Sequence, residues 1–199
     1  MSRQNNTVVN AGNEVREKIL STAADLFYNQ GIRAVGVDLV VEKAGVAKTS
    51  LYRHFGTKDD LVVAFLQLMD QEFWKQWDGV TSQHSDDAKA ELYAQLDWIG
   101  DRSGQPEYRG CPQINIAAEF PDIDHPARRL AHGHKRELRR RLQVISERLG
   151  AGNAHELAGQ LAVLINGAFV STSMFEKPEE AKVLLHGAAN ALIAANTAS

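Results

Sequence analysis

Three glycines, Gly31, Gly45 and Gly56, cut the first third of the sequence into segments, and each segment carries apolar residues at helical spacing. Ile19, Ala23, Leu26 and Phe27 share one face of a helix predicted from about Glu14 to Gln30, and Gly31 stands where a left-handed C-cap belongs. After "GIRAV", Asp38 places negative charge in the first turn of a short helix ending near Ala44, and Gly45 permits a tight turn. A third helix, Lys48–Phe55, follows at once. Gly56 stops it, Thr57 is a suitable N-cap, and Asp59 and Asp60 suit the positive end of the next helix. That helix carries Leu61, Phe65, Leu68 and Glu72 down one side and is expected to reach about Trp77. Residues 1–13 read as a flexible polar arm.

The remainder repeats the pattern. "DGVTSQHSDD" reads as a polar break, Leu92, Leu96 and Ile99 mark a further helix, and "GDRSGQPEYRGCP" is a loop punctuated by Gly and Pro. A short helix is expected around Gln113 to Phe120. After "PDIDHP" a long helix, Ala127 to Leu149, carries Leu130, His134, Leu138, Leu142, Ile145 and Leu149 at helical spacing. Ala154 to about Phe175, with Leu157, Leu161, Leu164, Ala168 and Thr172, and Glu179 to about Asn196, with Leu184, Ala188, Leu192 and Ala195, complete the chain. No segment alternates like a strand, so the expected class is all-α.

The 199 residues carry a net charge of −3 and are 44% hydrophobic, which suits a globular chain of one large domain or two small ones. The longest apolar stretch, "LAVLINGAFV", is too short and interrupted for a bilayer, and "MSRQNNTVVNAGNEV" lacks the order of a signal peptide, so a cytoplasmic location is expected. The single cysteine, Cys111, agrees with a reducing compartment. Charge placement is more informative than the total. Between Lys43 and Lys58 the basic residues Lys48 and Arg53 occur with no Asp or Glu among them, so this window is cationic in an acidic chain.

Two short helices joined at a glycine, with Val40, Val46 and Leu51 as apolar positions, have the spacing of a helix-turn-helix, whose second helix enters the major groove. An ordinary helical hairpin has the same spacing, but the second helix here is crowded with hydrogen-bonding side chains, and only Leu51 and Phe55 are clear core anchors. From "VREKILSTAADLFYNQGIRAVG" through "VDLVVEKAGVAKTSLYRHFGTKDDLV" the sequence resembles the TetR family of transcriptional regulators. "YRGCPQINIAAEF" followed by "HPARRLAHGHKREL" looks like the regulatory domain of one subgroup. The chain departs from the family pattern at Val41, where alanine is usual, and at Gly36, where Ser or Thr usually opens the second helix.

The resemblance implies a helix-turn-helix DNA-binding domain over residues 14–57 and an effector-binding and dimerisation domain over 58–199. It implies that Lys48, Thr49 and Ser50 approach base edges, that Tyr52, His54 and Lys58 grip phosphates, and that Arg16 and Val37 belong to the same DNA-facing set. Arg53 reads a guanine or faces solvent. Lys58 also fits physically, since it lies in the first turn of a helix, where free N–H groups attract an anion. The implied partners are double-stranded operator DNA, a second copy of the chain through its last two helices, and a small-molecule effector, with no membrane. Two recognition helices would then meet successive major grooves about 34 Å apart.

Candidate effector contacts are Trp98, Tyr108, Cys111, Asn115, Phe120, His134 and Phe169, apolar walls with few polar handles; each taken singly reads equally as core packing. Cys111 admits two readings: a thiol activated by neighbouring Arg109 to sense oxidants or electrophiles, or a small buried hydrophobe. His132 and His134 are two apart and point to different sides of a helix, so no metal site is expected, and no motif calls for a cofactor. "KRELRRR" reads as a solvated face. The function expected is a ligand-responsive regulator, a repressor released from its operator by the effector. The rivals are a constitutive DNA-binding protein and a helical enzyme, for which no catalytic motif is present.

Overall fold

The computed structural model describes the backbone of residues 2–171, 174–175 and 177–197, and the side chains of these residues except 2–11 and 178. Among the described residues the chain is all-α, with nine helices and no strand. By packing it divides into two units, residues 1–69 with 116–130, and residues 70–115 with 131–199.

The first unit holds α1 (Ser2–Gln30), α2 (Val37–Ala44), α3 (Lys48–Phe55) and the start of α4 (Lys58–Gln83). Ile19, Ala23, Val35 and Leu51 are fully buried, Val40 and Ala44 are nearly so, and Phe27 meets Phe65 edge to face at 5.7 Å. This core fixes α3 against α1 and α2. Gly45 takes the left-handed conformation (φ 60°, ψ 40°), and the amides of Gly45 and Val46 return to the carbonyls of Glu42 and Val41, both at 3.1 Å. A side chain there would be strained, so the turn between the two helices depends on glycine. Thr57 and Asp60 cap α4 reciprocally: the Asp60 amide donates to Thr57 Oγ1 and the Thr57 amide to Asp60 Oδ2, each at 3.0 Å.

Residues 116–130 also belong to this unit and contain the end of α6 (Pro112–Glu119) and the start of α7 (Pro126–Arg148). Glu119 Oε2 accepts the Arg33 amide at 2.8 Å, and His125 Nε2 lies 3.3 Å from Asp59.

The second unit packs the rest of α4 and α7 with α5 (Ala88–Ser103), α8 (Ala154–Val170) and α9 (Pro178–Thr197). Trp77, Leu92, Leu96, Ile99, Leu138, Leu142, Leu161, Ile165 and Phe169 are buried to within 1%. Asp87 caps α5 through the amides of Lys89 and Ala90, and Asn153 caps α8 through that of Glu156. Gly100 lets α9 approach α5: a Cβ there would stand 3.2 Å from the Lys182 amide nitrogen.

Three boundaries differ from the sequence reading. Helix α1 begins at Ser2, so helix rather than loop occupies residues 2–13. Helix α4 runs to Gln83 instead of ending at Trp77, because the Trp77 carbonyl accepts Gln95 Nε2 at 2.9 Å and Thr81 donates to the buried Glu91 at 2.9 Å. Those contacts hold "DGVTSQ" in helix despite its polarity. Helix α8 ends at Val170, and Thr172 lies outside the described residues.

Candidate nucleic-acid interface and regulatory cluster

Helix α3 is eight residues long, and its two faces differ sharply. Leu51 and Phe55 are buried at 0% and 5% exposure, whereas Lys48, Thr49, Tyr52 and Arg53 are exposed. The exposed positions recur at i, i+1, i+4 and i+5, one continuous stripe on a helix of 3.6 residues per turn. The stripe carries donors, a phenol and a guanidinium but no carboxylate of its own. Ser50 and His54 flank it half-buried, and His54 Nε2 is buried without a hydrogen-bond partner.

Two cations of the predicted set are held locally. Lys48 Nζ lies 2.6 Å from Asp38 Oδ1 across the turn, an exposed pair whose hydrogen bond raises the Lys48 pKa. Lys58 Nζ donates to the Ile32 carbonyl at 2.7 Å, and burial, partly opposed by Asp59, lowers its pKa. Arg16 is exposed with its guanidinium 5.0 Å from the centre of the Phe55 ring, a cation–π contact that fixes it beside the end of α3. Val37 opens α2, half-buried.

The second unit gathers Trp98, Tyr108, Cys111, His134 and Phe169. Phe73 is the hub: its ring centre lies 5.1 Å from that of Trp98, 4.8 Å from His134 and 6.1 Å from Phe169, and Tyr108 stands 6.4 Å from Phe169. The other two candidates have partners of their own, and the Asn115 amide also donates to the Cys111 carbonyl at 3.1 Å. Asn115 is exposed and donates through Nδ2 to the Arg109 carbonyl at 3.0 Å, and Phe120 belongs to the first unit, its ring 4.4 Å from His125.

Asp70, Lys135, Asn166 and Phe73 were missed by the sequence reading. His134 Nδ1 is 2.6 Å from Asp70 Oδ1, Lys135 Nζ donates to Asn166 Oδ1 at 2.6 Å, and the same nitrogen stands 3.7 Å from Cys111 Sγ. Burial raises the Cys111 pKa, but the His134 imidazole and the Lys135 ammonium outweigh it and leave the thiol lowered to about 7. The cationic neighbours that act on Cys111 are therefore on α7, not the adjacent Arg109. The sequence held one usable signal: Lys135 lies one residue beyond a histidine already singled out. The solvated-face reading of "KRELRRR" needs the same correction, since Lys135 and Arg141 turn inward and the Arg141 guanidinium lies 4.4 Å over the Trp74 ring. The described residues hold no group of three His, Cys, Asp or Glu side chains placed to bind a metal. None of their helices is long and apolar enough to cross a membrane.

Residues 19–65 match the model of the bacterial regulatory proteins of the tetR family. Over 54 residues the chain is 41% identical to the HTH-type transcriptional activator FasR of Mycolicibacterium smegmatis, a match covering 27% of this chain and 25% of that one. It is 31% identical over 119 residues to the HTH-type transcriptional regulator LmrA of Bacillus subtilis, covering 59% and 63%. The matches thus span between a quarter and two thirds of these relatives. The crystal structure of SCO4454, a TetR-family transcriptional regulator from Streptomyces coelicolor, superposes with a TM-score of 0.87 at 29% identity over 94% of this chain and 97% of that one. Residues 19–65, which hold α3 and its uninterrupted polar face, thus match the TetR-family model, and over most of its length the chain is similar to a TetR-family transcriptional regulator.

Proposed function

We propose that the protein is a ligand-responsive, DNA-binding transcriptional regulator that acts in the cytoplasm as a homodimer, a repressor that leaves its operator when a small molecule binds the second unit. The observation that carries this reading is the stripe of Lys48, Thr49, Tyr52 and Arg53 on α3, exposed above a fully buried Leu51. Its shape fits a major groove and its chemistry fits base edges and phosphates. Residues 14–57, together with Lys58 at the start of α4, supply the DNA contacts. Lys48, Thr49 and Ser50 reach bases and Tyr52, His54, Lys58 and Arg16 reach phosphates, with Arg53 at the groove edge and Val37 at the start of α2. On DNA, Lys48 exchanges Asp38 for its new partner, and the exposure of that ion pair keeps the exchange inexpensive.

Residues 58–199 supply pairing and response. Val163 and Val170 on α8 and Val183 and Leu184 on α9 are exposed by 73%, 60%, 70% and 54%, an apolar surface suited to the same helices of a second copy. The rings around Phe73, with Cys111 and His134 as polar handles, form the effector-responsive centre. An effector that binds one arrangement of this body better than another shifts the dimer by that difference in affinity.

Selection of bound fragments from genomic DNA by the purified protein tests the reading. The expected outcome is enrichment of a site with two related half-sites. Recovery of fragments with no common sequence would contradict it.

A further inference from the structure

The second unit holds a positive charge that its own carboxylates leave uncompensated. Lys135 on α7 donates to Asn166 Oδ1 on α8 at 2.6 Å, and its ammonium stands 5.7 Å from the centre of the Phe169 ring. Among the described residues no carboxylate acts on it, and burial lowers its pKa against the opposing pull of Cys111. A cation taken out of water without a counter-ion is costly, so an anion that reached it would be strongly favoured. Asp70, the carboxylate beside neighbouring His134, is already occupied: it meets His134 Nδ1 at 2.6 Å and accepts Trp74 Nε1 at 3.0 Å. An ammonium has three donor hydrogens, and Asn166 takes one of those on Lys135.

Two further groups add to this field. His134 Nε2 is buried without a hydrogen-bond partner, on a side chain only 1% exposed. The Arg102 guanidinium on α5 lies 5.3 Å from the centre of the Tyr108 ring, which stands 6.4 Å from that of Phe169. Cations from α7 and α5 therefore flank one aromatic surface, which Phe73 extends to Trp98 at 5.1 Å. Lys135, Asn166, Trp98 and Tyr108 are half-buried, so the cluster reaches solvent through them. Flat rings offer stacking and edge contacts to another flat ring, and the donors of Lys135 and His134 offer charge-assisted hydrogen bonds to an oxyanion.

We propose that this cluster takes a small aromatic carboxylate, held by Lys135 through its anionic group and by Phe73, Trp98 and Phe169 through its ring, and that molecules of this class are the effector. Such a ligand ties Lys135 on α7 to rings on α4, α5 and α8, and so favours one arrangement of these helices over others. That difference in affinity is what a response requires. The effector half of this proposal rests on the function proposed above; the binding half does not.

The test is isothermal calorimetry of the full chain at about pH 6. Burial raises the Cys111 pKa, but His134 and Lys135 outweigh it and leave it at about 7, so at this pH the thiol is protonated and does not compete for Lys135. The probes are benzoate, benzyl alcohol, which keeps the ring without the charge, and cyclohexanecarboxylate, which keeps the charge without the planar ring. Benzoate is expected to bind about tenfold or more tightly than benzyl alcohol, the worth of a hydrogen bond to a charged group. It should bind about threefold or more tightly than cyclohexanecarboxylate. Lys135→Met keeps the apolar stem and should abolish the preference for benzoate over the alcohol, while the alcohol's own affinity stays within about twofold. The comparison of the two ring probes on the unaltered chain stands even if Lys135→Met unfolds. Equal affinity for benzoate and benzyl alcohol, an undiminished preference in Lys135→Met, or no binding of any probe overturns the anion site. Equal affinity for benzoate and cyclohexanecarboxylate overturns its aromatic part. At constant ionic strength, saturating benzoate should weaken binding to selected DNA about tenfold or more. Unchanged DNA affinity overturns the effector half, and absence of DNA selection by the unliganded protein counts against the proposed function instead.

Discussion

The exposed face of α3 and the Cys111 cluster both concentrate cations, and they do so by opposite means. On α3 the charges stand in water on one contiguous stretch, and the Lys48–Asp38 pair is 51% and 81% exposed. Solvent and salt screen such charges, so the face can bind and release a polyanion. Around Cys111 the charges come from residues distant in sequence and are buried, and there they lower a thiol to about 7. Openness gives reversible affinity, while burial changes the chemistry of a single atom.

The strongest way to break this contrast is to remove the support under the open face. Leu51→Ala deletes a fully buried side chain from the core that orients α3 and should destabilise the protein by about 2–5 kcal/mol, read by thermal or urea denaturation. A loss below about 1 kcal/mol would mean that α3 is not held by this core. Next in size is Thr49→Ala, expected to cost about 1–3 kcal/mol of preference at one base pair while leaving binding to random DNA unchanged. Equal loss on both would remove Thr49 from base reading.

Lys58 sharpens the comparison because it sits between the two regimes, half-buried on the Ile32 carbonyl. If it grips a phosphate, Lys58→Met weakens binding on all sequences and lowers the slope of log K against log salt by about one. An unchanged slope would assign Lys58 to holding the Ile32 loop alone.

The smallest effect belongs to Glu137, whose carboxylate is bound by Arg140 at 2.7 Å and by Arg141 at 2.7 Å, and whose pKa is lowered to about 2. A depressed carboxylate pKa contributes stability above the unfolded value of about 4.3, and that contribution is lost as pH falls toward the folded value. With 31% of the side chain exposed, screening limits it to below about 1 kcal/mol. Glu137→Gln should therefore lose little at neutral pH and flatten acid unfolding slightly; a loss above about 2 kcal/mol would show that the α7 surface carries far more stability than exposed pairs do.

What could be read from the sequence follows the same division. Helix α3, the Gly45 turn and the Thr57 cap each lie within a few residues, so local chemistry specified them, and Lys48–Phe55 appears as expected. The continuation of α4 to Gln83 was hidden because the bonds that hold it come from Gln95 and Glu91 on another helix. Asp70 and Asn166 were invisible for the same reason: nothing near either residue signals a histidine 64 positions away or a lysine 31 away. Arg109 was the nearest cation to Cys111 in sequence, yet His134 and Lys135 are the ones that act on the thiol.

The claim on which the account turns is that the α3 face reads DNA sequence. Fluorescence anisotropy of the purified protein on its selected DNA and on scrambled DNA of the same composition, at two salt concentrations, measures it directly. The account predicts a preference of about a thousandfold or more, with affinity falling as salt rises. Equal, weak binding to both DNAs would contradict it.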